Sequence, residues 1–138
     1  PVKGVSVGQQ TRKSFGFVYR TKIGNDTDGQ DHGYKIHIIY SAMASPSEKN
    51  HQTVNDSPEA VTLSWTCNTT PINVTGYKPT VTIVIDSTQF TDEAGKAKLK
   101  KLEETLFGKD PTSQEADDGV APKLPLPDEI IEMMKAAG

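Results

Sequence analysis

Three histidines, His32, His37 and His51, are the residues on which metal chemistry would have to rest. His32 and His37 stand five positions apart, which on a strand puts them on opposite faces, and no cysteine lies near enough to complete a ligand set. No metal site is expected from them. The run Asp26-Thr27-Asp28-Gly29 has the look of a calcium loop, but the twelfth position counted from Asp26 is His37, where an EF-hand needs a bidentate glutamate. It reads as a hairpin turn. Cys67 is the only cysteine, which removes a disulfide framework and a cysteine-cluster zinc site. There is no G-x-S-x-G, H-E-x-x-H or P-loop pattern, and the carboxylates sit among polar neighbours with no apolar pocket to raise a pKa for acid/base work. The expectation is therefore a protein without catalytic residues or a cofactor. Asn25, Asn55, Asn68 and Asn73 each begin an N-x-Ser/Thr triplet, which a chain rich in Ser and Thr produces by chance.

The elements that would carry these residues belong to a chain of 138 residues with a formal net charge of −3, long enough for one core. No apolar run approaches the roughly 18 residues that a membrane-spanning helix needs, so no membrane partner is expected. The acidic balance argues against an autonomous DNA-binding domain, because phosphate neutralisation needs a concentrated basic face. Lys96, Lys98, Lys100 and Lys101 are followed at once by Glu103 and Glu104, and read as a solvated helix face. The chain opens on Pro1-Val2-Lys3-Gly4 without an initiator methionine, as a processed chain or a fragment would.

Four stretches alternate at period two and predict half-buried strands. They are Phe15 to Arg20, Tyr34 to Tyr40, Glu59 to Asn68 and Pro79 to Asp86. Residues 24–30 read as the hairpin loop between the first two, residues 42–58 as a long polar connection, and residues 70–79 as a further turn region. From Phe90 the period changes to 3.6. Asp92 can cap a helix whose Leu99, Leu102 and Leu106 share a stripe, and Gly108 stands where a left-handed C-terminal cap belongs. The division that follows is a β-rich unit with a flanking helix over 1–108, a flexible acidic linker over 109–121, and a Pro-rich arm with a short helix over 122–138.

Five segments resemble one family in the right order. Ser57 to Pro71, with Trp65 and Cys67 at its centre, and Val74 to Ser87 resemble the C-terminal half of the major tail (tail tube) proteins of long, non-contractile-tailed bacteriophages and prophages. The family's Leu-x-x-Leu-Glu-x-x-Leu-Phe/Tyr-Gly helix is matched by Leu99 to Gly108, and its Leu-Pro-Leu-Pro-Asp-Glu segment by Leu124 to Glu129. Phe15 to Arg20 and Tyr34 to Tyr40 also look like it, so that the similarity spans roughly residues 14 to 132. Proteins of that family generally carry further strands before the first of these matches.

The resemblance implies a β-sandwich of antiparallel strands with a flanking helix. It implies a structural virion protein of the tail, made in the host bacterial cytoplasm, whose copies form rings of six. The rings stack into a tube around the tape-measure protein and later pass double-stranded DNA. The expected core is Phe15, Phe17, Tyr34, Ile36, Ile38, Val61, Leu63, Trp65, Val81, Ile83 and Ile85, closed by Leu99, Leu102 and Leu106. The candidate contacts between subunits are Ser47, His51 and Val54 in the long loop, and Leu124, Leu126, Ile130, Ile131 and Met134 in the arm. Removal of 109–138 is expected to impair assembly and leave the fold intact. The β pattern alone also permits a monomeric immunoglobulin-like adhesion or carbohydrate-binding module, although the loops carry almost no exposed aromatic besides Tyr77.

Overall fold

The computed structural model describes residues 3–5, 11–46, 64–113 and 117–135. The expectations placed on Ser47, His51, Val54, Val61 and Leu63, and on most of the 42–58 connection, lie outside the described residues.

Alternation of apolar and polar side chains gives β1 (Phe15–Asn25) and β2 (Gly29–Pro46), joined by a turn in which Gly29 takes φ +59°. That left-handed backbone costs glycine nothing, and Asn25 Oδ1 stabilises the turn by accepting from the amides of Thr27 and Asp28. β3 (Trp65–Thr69) and β4 (Thr82–Asp86) complete an antiparallel sheet of four strands. The second and fourth strands are shorter or longer than their sequence patterns: the β2 run continues to Pro46, and the β4 run begins at Thr82 rather than Pro79. Thr80 instead bridges Ile72.

Every strand pairs with β2. His37 stands opposite Tyr19 of β1 on one side and Val84 of β4 on the other, while Ala42 to Pro46 pair with β3 on the β4 side. The β1–β2 register slips between Phe17↔Ile39 and Phe15↔Ala42, so three residues of β2 oppose two of β1. Ser41, at φ +48°, sits in this bulge and re-phases the strand beyond it.

α1 (Glu93–Phe107) begins where Asp92 accepts a hydrogen bond from the Gly95 amide at 3.0 Å and ends at Gly108, φ +81°. α2 (Pro127–Met134) begins with proline in the first turn, and the Glu129 carboxylate reaches back to the Leu126 amide at 2.7 Å. Both helices lie on one face of the sheet. Ile36, Ile38, Tyr40 and Ile85 from the sheet, Leu99, Leu102 and Leu106 from α1, and Ile130 from α2 form one buried cluster. Each such aliphatic side chain contributes about 1.5–3 kcal/mol by leaving water. Tyr34, Ile83, Leu124, Met133 and Met134 pack partly buried against it. No helix among the described residues is long and apolar enough to cross a membrane.

Three expected core residues are on the surface. Phe15 and Phe17 belong to the face of β1 turned away from the helices, and Trp65, at the end of β3, is 60% exposed. Alternation separates a strand's two faces without saying which one the helices will cover. Val81 also falls short of burial, one residue ahead of β4, where its carbonyl accepts from the Tyr40 amide.

The C-terminal arm differs as well. It is part of the same core: Pro125, Pro127 and Ile130 are fully buried, and the Tyr40 hydroxyl donates to the Pro125 carbonyl at 2.8 Å. Gly16 makes room for it, since a Cβ there would stand inside the contact radius of Leu124 Cδ2. Cutting the chain at 109 would therefore open the core, contrary to the expectation of an intact fold. Within the stretch expected as a flexible linker, two hydrogen bonds join Lys109 and Val120, and Asp118 accepts from the Thr112 amide.

Candidate interaction surface

The face of the sheet opposite the helices carries large apolar side chains in the open. Phe15, Phe17 and Tyr19, at alternate positions of β1, form a row with ring centroids 5.9 and 6.2 Å apart. The Tyr19 ring then stacks on His37, its direct partner on β2, at 4.6 Å and nearly parallel. Thr21 Oγ1 fixes that imidazole by a 2.9 Å hydrogen bond to Nε2. Val84 continues the surface on the far side of His37, and Trp65, opposite Pro46, lies exposed toward the β3 end. Singly exposed apolar residues are ordinary, whereas a contiguous row of this kind is not.

The row runs beside an unpaired backbone edge. Among the described residues β1 is hydrogen-bonded on its β2 side alone, which leaves the outward N–H and C=O groups of an 11-residue strand free to pair. β4 presents the opposite edge of the same sheet. Periodicity located the strands, but the row became visible only when pairing set Tyr19 against His37.

The arm residues proposed for contacts between subunits divide. Leu124, Ile130 and Met134 are used internally, against the chain's own core, whereas Leu126 is exposed. Ile131 is half-buried and lines a shallow groove of about 420 Å³ with Val74, Tyr77, Lys78, Thr80 and Ile83. The Asp128 carboxylate ties α2 to the preceding turn by accepting from the Thr75 amide and hydroxyl, both at 2.9 Å.

On the helical side, an open cleft of about 640 Å³ lies between the β1–β2 hairpin and α1. Arg20 marks its inner end. Its guanidinium meets Glu103 at 3.0 Å and lies over the rings of Tyr34 and Phe107 at 4.4 and 5.2 Å. Burial, with Glu103 beside it, pushes the Tyr34 phenol up to about 12, so it stays protonated at neutral pH. At the hairpin tip His32 Nδ1 lies 3.2 Å from the Asp28 carboxylate. Hydrogen bonds from Asn25 and then His32 hold Asp28 below its ordinary value. The Asp28 carboxylate is thus engaged within the turn itself. Among the described residues no three His, Cys, Asp or Glu side chains are gathered as a metal would require.

Compared with protein-family models, with curated proteins and with solved structures, the chain matches none of them.

Proposed function

We propose that this protein is a structural subunit of a phage tail tube, whose work is association with copies of itself. The observation that carries the reading is the exposed row Phe15, Phe17, Tyr19 and His37 beside the open edge of β1. The segmental resemblance described above supplies the tail-tube identity. In this reading the uncovered sheet face receives the second layer of a β-sandwich. The edges of β1 and β4 lie on opposite sides of one sheet, so pairing one copy's β1 with the next copy's β4 adds subunits in one direction, as a ring of six requires. Stacked rings make the conduit for DNA, around the tape-measure protein before ejection, in the virion tail.

The test is sedimentation and electron microscopy of the purified chain over a range of concentrations. Rings or polymers should grow with concentration. Replacing Phe17 and Tyr19 together by Lys should abolish them with little change in melting temperature, because both side chains already face solvent. A wild-type chain that stays monomeric throughout overturns the reading. Monomers that bind a polysaccharide would turn it into the adhesion-module alternative.

A further inference from the structure

We infer that the cleft between the β1–β2 hairpin and α1 is a binding site for a nucleotide, with its phosphates on the cations of the rim and its base on the apolar floor. The inference is independent of the tail-tube reading, which assigns nothing to this side of the molecule. The rim is built from both walls. Residues of β1 alternate between the faces of the sheet, and those on the helix side run Val18, Arg20, Lys22. Val18 packs on the core, so this face turns from apolar to cationic as the strand leaves it. On α1, Lys96, Leu99 and Lys100 share one face at helical spacing. The four cations line the cleft against two carboxylates, Asp31 and Glu103, in a chain whose net charge is −3. A local positive excess on an acidic molecule draws anions to that place.

Arg20 is the preorganised member of the set. Its guanidinium is held over the rings of Tyr34 and Phe107 and by one hydrogen bond to Glu103 at 3.0 Å. Of the donors on that planar fork, Glu103 takes one among the described residues, which leaves others for phosphate oxygens. The other cations are held loosely. Lys22 lies 4.0 Å from Asp31 and Lys96 lies 3.1 Å from Glu93, and both carboxylates are 92% exposed. Exposed pairs of this kind hold by about 1 kcal/mol or less and exchange for a polyanion. Lys100 has no carboxylate partner among the described residues. The floor sets the rest of the ligand. Leu99 is buried there, with Tyr34 and Phe90 partly buried beside it, so a phosphate alone would leave an apolar surface wet that a flat base would cover. The volume of about 640 Å³ fits one such molecule. A nucleic-acid strand fits less well, because its phosphates outside the cleft would meet the negative remainder of the chain.

The experiment is calorimetric titration of the full chain with magnesium-free ATP in about 0.05 M salt, where charges are little screened. Tripolyphosphate, adenosine and a single-stranded thymidine oligonucleotide are titrated beside it. ATP should bind with a Kd of about 1 mM or tighter, and more tightly than tripolyphosphate or adenosine. Lys96→Gln with Lys100→Gln should weaken ATP about tenfold, whereas Lys96→Arg with Lys100→Arg should retain it, because the charge is kept. Both pairs lie on the exposed side of α1, so melting temperatures should stay close to that of the wild type. Amide chemical shifts of the wild type locate the site without any substitution: Gly33, Phe90 and Lys100 should move on addition of ATP. No binding by about 10 mM ATP overturns the site. So do shifts confined to other residues, an unchanged affinity in the glutamine pair, or tripolyphosphate binding as tightly as ATP. An oligonucleotide that binds more tightly than ATP also overturns it, in favour of a nucleic-acid surface.

Discussion

Tyr40 illustrates how much a single side chain joins. Its ring belongs to the core, and its hydroxyl donates to the Pro125 carbonyl across 85 residues of sequence, tying the C-terminal arm to the central strand. Burial, and secondarily the charge of Glu129, pushes its pKa up to about 12. The unfolded phenol titrates near 10, so the folded state holds its proton more tightly. Stability is fully present below about pH 10 and falls as pH rises toward 12. Tyr40→Phe should cost about 1–2 kcal/mol at neutral pH, because a buried carbonyl loses its donor. Urea titrations should also show a shallower alkaline decline in the variant, Tyr34 supplying what remains. Gly16 is a residue of the opposite kind, valuable for what it lacks. Gly16→Val should displace Leu124 and cost about 1–3 kcal/mol, with amide exchange rising across 122–135 before it rises in α1.

At the scale of elements, α1 carries its own instructions. Asp92, the Leu99, Leu102 and Leu106 stripe and Gly108 are all local signals, and the helix begins and ends where they place it. The short helix expected within 122–138 is α2, Pro127–Met134. What local signals do not contain is the docking of one element on another. Phe15 and Phe17 flank Gly16 in a pattern that suits either face, and only the arrival of Leu124 on the glycine side leaves the two rings in the open. The aromatic row was hidden for the same reason, since Tyr19 and His37 become neighbours through cross-strand register. The two kinds of site should respond differently to truncation. Leu102→Ala, at a fully buried position, should cost about 2–5 kcal/mol. Trp65→Ala, at a position 60% exposed, should cost less than about 1 kcal/mol in the same denaturant titration.

At the scale of the whole molecule, four carboxylates among the described residues are held below their ordinary values by hydrogen bonds of the folded state. Asp86 accepts from the Thr88 hydroxyl and amide, Asp118 from the Thr112 amide, Glu129 from the Leu126 amide, and Asp28 from Asn25 and His32. The unfolded chain therefore takes up protons first as pH falls. Stability should be fully present above about pH 4.5 and decline steadily below it, a course that melting temperatures between pH 6 and pH 3 will follow. A melting temperature that rises on acidification would contradict the assigned hydrogen bonds.

The late position of the arm in the chain has a consequence for synthesis. A growing polypeptide completes β1, β2, β4 and α1 before Leu124, Pro125 and Ile130 emerge to close the core. Until then the nascent chain offers water an apolar surface on both sides of its sheet, next to an edge of β1 that no other described strand pairs. That interval is when capture by chaperones, or aggregation of a prematurely terminated chain, competes with folding.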